Sequence, residues 1–261
     1  MADLIANRLG QSEPNQRRRV QINAAVYWPL GLSIYGWAVL NYLAQGGEEL
    51  LLCLTLPPSL FDGFLSGLSA TLYLISPTAL AAEWGLMVLA MMLPMTIPHL
   101  SPFCMRLFRN MQLGAVLAAL GGFVLVWLAI GLFAVPLMLV LRAVAFVDGM
   151  AWFVPAFAYG LAILWSYSAL RQKMFRRCHV VPVVCGQGGA VYRAALGYGV
   201  RLGGYCGATC GFAMAAPMLS GQGILAMALV THVLLKERLS HRVTPAQTAV
   251  PLALIGSMAL F

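Results

Sequence analysis

Charged residues are scarce in this chain. Of its 261 residues, 9% are Asp, Glu, Lys or Arg and 61% are hydrophobic, and the mean hydropathy is +0.84. A soluble domain carries about 25% charged residues, so the composition excludes an ordinary soluble core and predicts a multi-pass membrane protein. Lysine is rarest: Lys173 and Lys236 both lie outside the apolar runs. A retinal-type Schiff base inside a helix is therefore excluded, because it needs a lysine there.

Recognisable catalytic motifs are also missing. The sequence has no His-Glu-x-x-His helix, no phosphate-binding glycine loop, no nucleophile elbow and no carboxylate pair within one apolar run. We therefore do not expect an enzyme. A cleaved secretory signal is not predicted either. The first apolar run follows a polar tail with three arginines at 17–19, and it exceeds the roughly 7–15 residues of a signal core.

What the sequence does have is apolar runs of membrane-spanning length, which takes about 20 residues. One further stretch, 50–76, is interrupted by Pro57, Pro58 and Asp62 and is amphipathic, which favours a helix lying in the outer interface. We predict an all-α polytopic membrane helix bundle with about seven transmembrane helices, one interfacial helix and a cytoplasmic N-terminus. The predicted spans are 24–44, 78–98, 113–141, 150–170, 195–219, 222–235 and 246–261.

The basic residues support this topology. With the N-terminus inside, 14 of the 16 Lys and Arg residues fall in cytoplasmic segments, Arg142 lies outside and Arg201 lies within a span, as the positive-inside rule requires. The chain then divides into a cytoplasmic tail, 1–23, and one transmembrane domain, 24–261, in which 171–193 is a basic cytoplasmic loop. The net charge of +8 follows from topology and attraction to anionic lipids. The bilayer is thus the predicted partner, and nucleic acid is not.

Sulfur-containing side chains recur at helical spacing in two spans. In GGYCGATCGFAMAAPML, four of them follow one another every four residues and share one slowly drifting helical face: Cys206, Cys210, Met214 and Met218. A second row in the second span ends at His99, with Met92 beside it. Thiolates and thioethers select Cu(I), so neighbouring rows would form a copper-binding Cys/Met pocket. The candidate ligands are Cys206, Cys210, Met91, Met95, Met87, Met214, His99 and Cys178.

The same residues also have structural explanations. Methionine fills gaps in cores, and free cysteine is commonly buried. Small residues let membrane helices approach closely, and the fifth predicted span supplies six glycines. Cys178 and Cys185 fall in a predicted cytoplasmic loop without a zinc-finger spacing, so ordinary loop thiols are the simpler interpretation there. The six glycines are Gly197, Gly199, Gly203, Gly204, Gly207 and Gly211.

Several segments between Trp84 and Arg238 carry a family resemblance. They are AMMLP (Ala90 to Pro94) after Trp84 and Met87, RQKMFRRC (Arg171 to Cys178), GYGVRLGGYCGATCG, and Met218, Met227 and Glu237-Arg238. Together they resemble an uncharacterised bacterial family of predicted metal-binding integral membrane proteins, a domain of unknown function. The resemblance implies a metal site and, for a bacterial protein, a multi-pass location in the inner membrane.

Departures from that family's pattern leave two hypotheses. Met174 stands where the family's basic loop has its first cysteine, and Thr209 and Gly211 replace a cysteine and a tryptophan. Under the first hypothesis, the protein binds copper through Cys206, Cys210 and either Met91 or Met95 of the second span, and stores it or delivers it to a cuproenzyme. Under the second, it is a non-catalytic accessory or assembly subunit of a larger membrane complex, without bound metal.

Overall fold

The computed structural model describes residues 27–45, 77–147, 153–182, 188–220, 222–240 and 244–258. Within these ranges all regular secondary structure is helical, which confirms the predicted all-α class. The predicted tail at 1–23 and the predicted interfacial helix at 50–76 lie outside the described residues. So do Cys53 and Cys185.

Nine α-helices are present in the described ranges, and they follow the apolar runs closely. The main difference is at Ser168, whose side chain accepts a hydrogen bond from the backbone N–H of Leu170 and caps a separate basic helix. That helix occupies part of the predicted loop 171–193. The helices are α1 (27–45), α2 (Pro77–Met87), α3 (Ile97–Cys104), α4 (Gln112–Val147), α5 (Phe153–Tyr167), α6 (Ala169–Cys178), α7 (Gly189–Leu219), α8 (Gly223–Leu239) and α9 (Pro245–Met258).

One segment of the described helices, Gln112–Met138 in α4, is long and apolar enough to cross a membrane alone. Two bent pairs raise the number to three if each pair counts as one span. Ala81–Met92 with Pro94–Cys104 bends by 41°, and Phe153–Tyr167 with Ala169–Cys178 bends by 69°. The helical architecture is thus observed, while the count of seven spans stays a prediction.

The break between α2 and α3 has an identifiable chemical cause. A π-helical turn, Val88–Met92, is followed by a 3-10 turn that begins at Pro94. In a regular α-helix the N–H of residue 94 would bond to the carbonyl of Ala90, but proline has no N–H. The hydroxyl of Ser33 on α1 donates to that carbonyl instead, at 2.6 Å. A side chain from a neighbouring helix therefore satisfies the carbonyl that the proline leaves unpaired.

Helices α4 and α7 pack closely along glycines. A Cβ at Gly199 would overlap the carbonyl of Ala119, and one at Gly203 would lie 3.0 Å from Val126. At Gly207 it would lie 2.6 Å from the Ile130 side chain. Glycine at this four-residue spacing therefore sets the distance between the two helices. Four other glycines of α7 face open space: Gly189, Gly197, Gly204 and Gly211.

The C-terminal helices close the other side of α7. Trp165 of α5 donates its indole N–H to the carbonyl of Ala208 at 2.8 Å. The hydroxyl of Tyr159 donates to the side chain of Gln222, which in turn donates to the carbonyl of Ile255 on α9. These bonds fix α5, α8 and α9 around the half of α7 that carries its sulfur atoms.

Candidate metal centre

The sulfur row of α7 faces the protein interior. Cys206, Cys210, Met214 and Met218 are between 1% and 3% exposed, in a row beside the glycines that contact α4. The thiol of Cys206 lies 3.9 Å from the thioether sulfur of Met92. By the standard of zinc sites, metal–sulfur bonds of about 2.3 Å place two sulfur ligands of one ion roughly 3.8–4.6 Å apart. The sulfur atoms of Cys206 and Met92 are therefore already separated by a distance typical of two ligands of one metal ion.

The methionine row of the second span is buried too, but its regular spacing is interrupted. Met87, Met91 and Met95 are 2%, 0% and 2% exposed. They lie across the π and 3-10 turns, which have more and fewer residues per turn than the α-helix. A four-residue spacing therefore does not keep side chains on one face here. The sulfur that meets Cys206 belongs to Met92, which is outside the predicted ligand set.

The centre of the buried polar cluster is the guanidinium of Arg238, near the end of α8. Its Nη1 donates to the thiol sulfur of Cys178 at 2.6 Å and contacts Nε2 of His99 at 3.3 Å. Its Nη2 donates to the hydroxyl of Thr209 at 2.8 Å and to the sulfur of Cys210 at 3.4 Å. Three soft or borderline metal donors from α3, α6 and α7 thus converge on one cation.

His99 is held with a nitrogen lone pair directed at this cluster. Arginine donates hydrogen bonds and accepts none, so the contact with Arg238 requires an unprotonated Nε2 on His99. The same nitrogen lies 3.8 Å from the sulfur of Cys178. Metal bonds of about 2.0 Å to nitrogen and 2.3 Å to sulfur allow this separation for two ligands of one ion. The hydroxyl of Tyr198 donates to the His99 carbonyl at 3.3 Å and helps fix the residue.

The charged side chains that are buried among the described residues leave a net positive charge. They are Arg171, Glu237 and Arg238, each 3–4% exposed. Arg171 forms a 2.7 Å salt bridge with Glu237 and donates from Nε to the carbonyl of Thr209 at 2.9 Å. Arg238 is left without a carboxylate among these groups. Because an unpaired buried charge is costly, the arrangement favours one ionised thiol beside Arg238, and the thiolate is the form that binds metals.

Comparison with known proteins identifies the family. A family model described as PpoB2, copper chaperone, matches residues 81–260, which is well over half of the chain. The chain belongs to the PpoB2 copper chaperone family. The match supports the resemblance to a metal-related family and specifies copper as the metal. No curated protein and no solved structure matches the chain.

In this PpoB2 member, the predicted ligands fall into two groups. The structure brings Cys178, His99 and Cys210 together around Arg238, and it places Cys206 one helical turn from Cys210. Met87, Met91, Met95 and Met214 are buried. Within the described part of the chain, no group of three or more His, Cys, Asp and Glu side chains is arranged to hold a metal. Arg238 stands among the donors instead.

The position of Cys178 differs from the loop position that the simpler interpretation expected. It is the last residue of α6 and is 1% exposed. Cys104, the last residue of α3, is also buried, at 3%. Arg201 donates to the carbonyl of Gly197 from an exposed position, which fits a side chain that extends towards the surface.

Sequence reasoning missed four polar residues of this PpoB2 site. Arg238 and Arg171 were explained by topology, Glu237 was noted only within the family resemblance, and Thr209 was counted only as a lost cysteine. One signal was present: Glu237 and Arg238 adjoin an apolar run and belong to the segments that carried the family resemblance. A Glu-Arg pair at the end of a hydrophobic helix, with a second arginine in a motif around a cysteine, could have indicated a buried ionic cluster.

Proposed function

We propose that this protein is an integral membrane copper chaperone that binds Cu(I) between its helices. The ligands would be the Cys178 and Cys210 thiolates and His99, with Cys206 and Met92 as a second donor pair about one helical turn away. The observation that carries the proposal is the convergence of Cys178, Cys210 and His99 on the buried Arg238 cation.

The donor types support copper over harder metals. Thiolate and thioether ligands select soft Cu(I), whereas Mg²⁺, Ca²⁺ and Mn²⁺ prefer carboxylate and carbonyl oxygen. The one carboxylate of the cluster, on Glu237, is already paired with Arg171. Cu(I) bound by two thiolates carries one negative charge. The guanidinium of Arg238 balances that charge without being a ligand, provided that it moves aside as the ion enters.

Two donor groups at successive turns of α7 suit a chaperone, which must release its metal. Cys206 contacts Met92, and Cys210 contacts Arg238. An ion could pass from one pair to the other by exchanging one sulfur ligand at a time, without becoming free. The proposed location is a bacterial inner membrane, which the apolar composition and the basic loops support. Delivery would be to a cuproenzyme.

The test is copper binding by the purified protein. The protein, produced in membranes and extracted in mild detergent, is titrated with Cu(I) under reducing conditions against a chromophoric chelator. We expect about one tightly bound Cu(I) per chain. Replacing both Cys178 and Cys210 by serine should lower the affinity at least 100-fold, because thiolate ligands are lost.

Cys104→Ser is the matched control. Cys104 is equally buried, but in the described part of the chain its sulfur takes no part in the contacts around Arg238. We expect unchanged copper affinity in this variant. Unchanged affinity in the Cys178/Cys210 double variant would contradict the ligand assignment. Absence of Cu(I) binding by the wild-type protein, together with co-purification of other membrane subunits, would instead support the metal-free accessory subunit.

A further inference from the structure

A cavity of about 700 Å³ lies beside the Arg238 cluster. It is formed where α6 and α8 end and α9 begins. Its charged lining consists of Arg171, Arg176, Glu237 and Arg238. This volume is within the range of roughly 300–1,000 Å³ for small-molecule sites. The cavity does not include Cys178, Cys210 or His99 among its lining residues, so the metal donors do not explain it.

The charge of the cavity lining is positive. Glu237 is neutralised by its 2.7 Å salt bridge with Arg171. Arg176 and Arg238 remain as two guanidiniums. Arg238 is buried with its thiol partners on one side, whereas Arg176 is exposed. Gln172 and His179 add side-chain groups that can donate hydrogen bonds.

We propose that this cavity binds the oxyanion group of a small anionic molecule or lipid, with Arg176 and Arg238 as its cationic contacts. Guanidinium groups are the side chains best suited to phosphate and carboxylate, because their planar N–H donors match two oxygens at once.

Two sources of such an oxyanion are compatible with the position of the cavity. The residues around it belong to the predicted cytoplasmic end of the bundle, where basic side chains meet anionic lipid headgroups. Lys173 and Arg177 are exposed on the same helix, α6, and suit a headgroup. A soluble cytoplasmic anion would reach the same face. The shared chemistry is the oxyanion, and the lipid composition in the experiment distinguishes the sources.

Arg238 connects this cavity to the two thiols. The residue lines the cavity and also bonds to Cys178 and Cys210. An oxyanion bound there would offer the guanidinium a second anionic partner. Oxyanion binding itself does not require copper, and the proposal stands or falls separately from the ligand assignment above.

The test is a titration of the whole protein with inorganic phosphate in nanodiscs of neutral phosphatidylcholine, followed by calorimetry. We expect saturable binding, which Arg176→Gln weakens at least tenfold. Arg177→Gln is the control: this neighbouring arginine is exposed and lines a different cavity of about 240 Å³. It should change the dissociation constant by less than twofold. Circular dichroism and thermal unfolding verify that both variants fold.

Nanodiscs of phosphatidylglycerol separate the two sources. If phosphate no longer binds in phosphatidylglycerol nanodiscs and mass spectrometry shows lipid retained by the protein, the site belongs to a lipid headgroup. If phosphate binds in both lipids, the site belongs to a soluble anion. No saturable binding below about 10 mM phosphate in neutral nanodiscs would overturn the proposal. Equal weakening by Arg176→Gln and Arg177→Gln would also overturn it, since that indicates a diffuse charge effect. The Cys178/Cys210 serine variant should still bind phosphate, whatever its copper affinity.

Discussion

The Arg238 side chain joins residues that are far apart in the sequence. Its hydrogen-bond partners include Thr209 and Cys210, 29 and 28 residues away, and Cys178, 60 residues away, and it contacts His99 at a separation of 139 residues. The planar guanidinium has five donors in fixed directions. One residue can thus orient two thiols and an imidazole and supply their counter-charge.

Replacing Arg238 tests that double role. In Arg238→Met the side chain keeps a similar length but loses its charge and donors, so a copper-bound pair of thiolates would be buried without a counter-charge. We expect Cu(I) affinity to fall about 10- to 100-fold, which is the usual effect of losing a group that supports metal ligands. Competition titration with a Cu(I) chelator measures this change.

Arg238→Lys is the informative comparison for that variant. It restores the charge without the planar fork of donors, so it should recover part of the lost affinity. Equal affinities in the Lys and Met variants would show that the charge of residue 238 has no role in copper binding. Tighter binding in both than in the wild-type protein would mean that the arginine only blocks the site.

The limits of sequence reasoning are clearest at these residues. The shared helical face of Cys206, Cys210 and Met214 followed from their spacing, but the spacing left open whether that face is interior. The convergence of Cys178 and Cys210 on Arg238 could not be predicted either, because it depends on how α6 turns back after Ser168 and meets α7. Spacing within one helix predicts which side chains share a face, but it carries no information on which face of another helix lies opposite.

At the scale of a single element, α7 carries two functions in adjoining rows of residues. Gly199, Gly203 and Gly207 contact α4, while Cys206 and Cys210 face the polar cluster. The sequence left open whether this span is a close-packing surface or a metal site. The structure shows that this span provides a close-packing surface and a buried row of sulfur donors at once. Each of the two cysteines follows a contact glycine by three residues, so the sulfur row lies beside the glycine row on the helix.

The glycine face can be tested with matched substitutions. In Gly199→Ala the added methyl would overlap the backbone of Ala119, so α4 and α7 must separate. We expect a loss of about 1–3 kcal/mol in unfolding free energy, as for other overpacked sites. In Gly197→Ala the methyl meets nothing within 4 Å, and helix propensity predicts a gain of roughly 0.5–1 kcal/mol. Unfolding in mixed detergent micelles measures both, and equal effects would contradict the close contact.

The break between α2 and α3 predicts an energetic coupling between two residues. Ser33→Ala removes the donor to the Ala90 carbonyl, and a buried acceptor without a partner costs about 1–3 kcal/mol. In a Pro94→Ala background, the restored N–H of residue 94 can satisfy that carbonyl. The cost of Ser33→Ala should then shrink by at least half. A double-mutant cycle of unfolding free energies gives the coupling, and strictly additive costs would contradict it.

Prolines at 94 and 98 were signals that this segment is not a regular helix. What they could not predict is the π turn ahead of them, since a π turn depends on how the chain upstream adjusts to the missing hydrogen bond. That adjustment changed the contact partner of Cys206 from the expected Met91 or Met95 to Met92. Helix irregularity therefore limits the assignment of ligands from spacing alone.

At the scale of the whole molecule, the orientation in the membrane is the open prediction. The apolar segment Gln112–Met138 has Arg106 and Arg109 before it and Arg142 after it. The full distribution of basic residues predicts that its N-terminal end faces the cytoplasm. An alkaline phosphatase fused after residue 149 should be active in the periplasm, and a fusion after residue 184 should be inactive. The reverse activities would contradict the seven-span topology.

The unpaired guanidinium has a thermodynamic consequence for metal exchange. If one thiolate balances Arg238 in the absence of copper, a complex of Cu(I) with the thiolates of Cys178 and Cys210 would carry the same single negative charge. The second thiol must release its proton as Cu(I) enters, so metal loading exchanges one proton for one Cu(I) ion. Affinity should consequently rise about tenfold for each step of one pH unit towards alkaline conditions, because one proton is released per ion bound. Mild acidification would favour unloading.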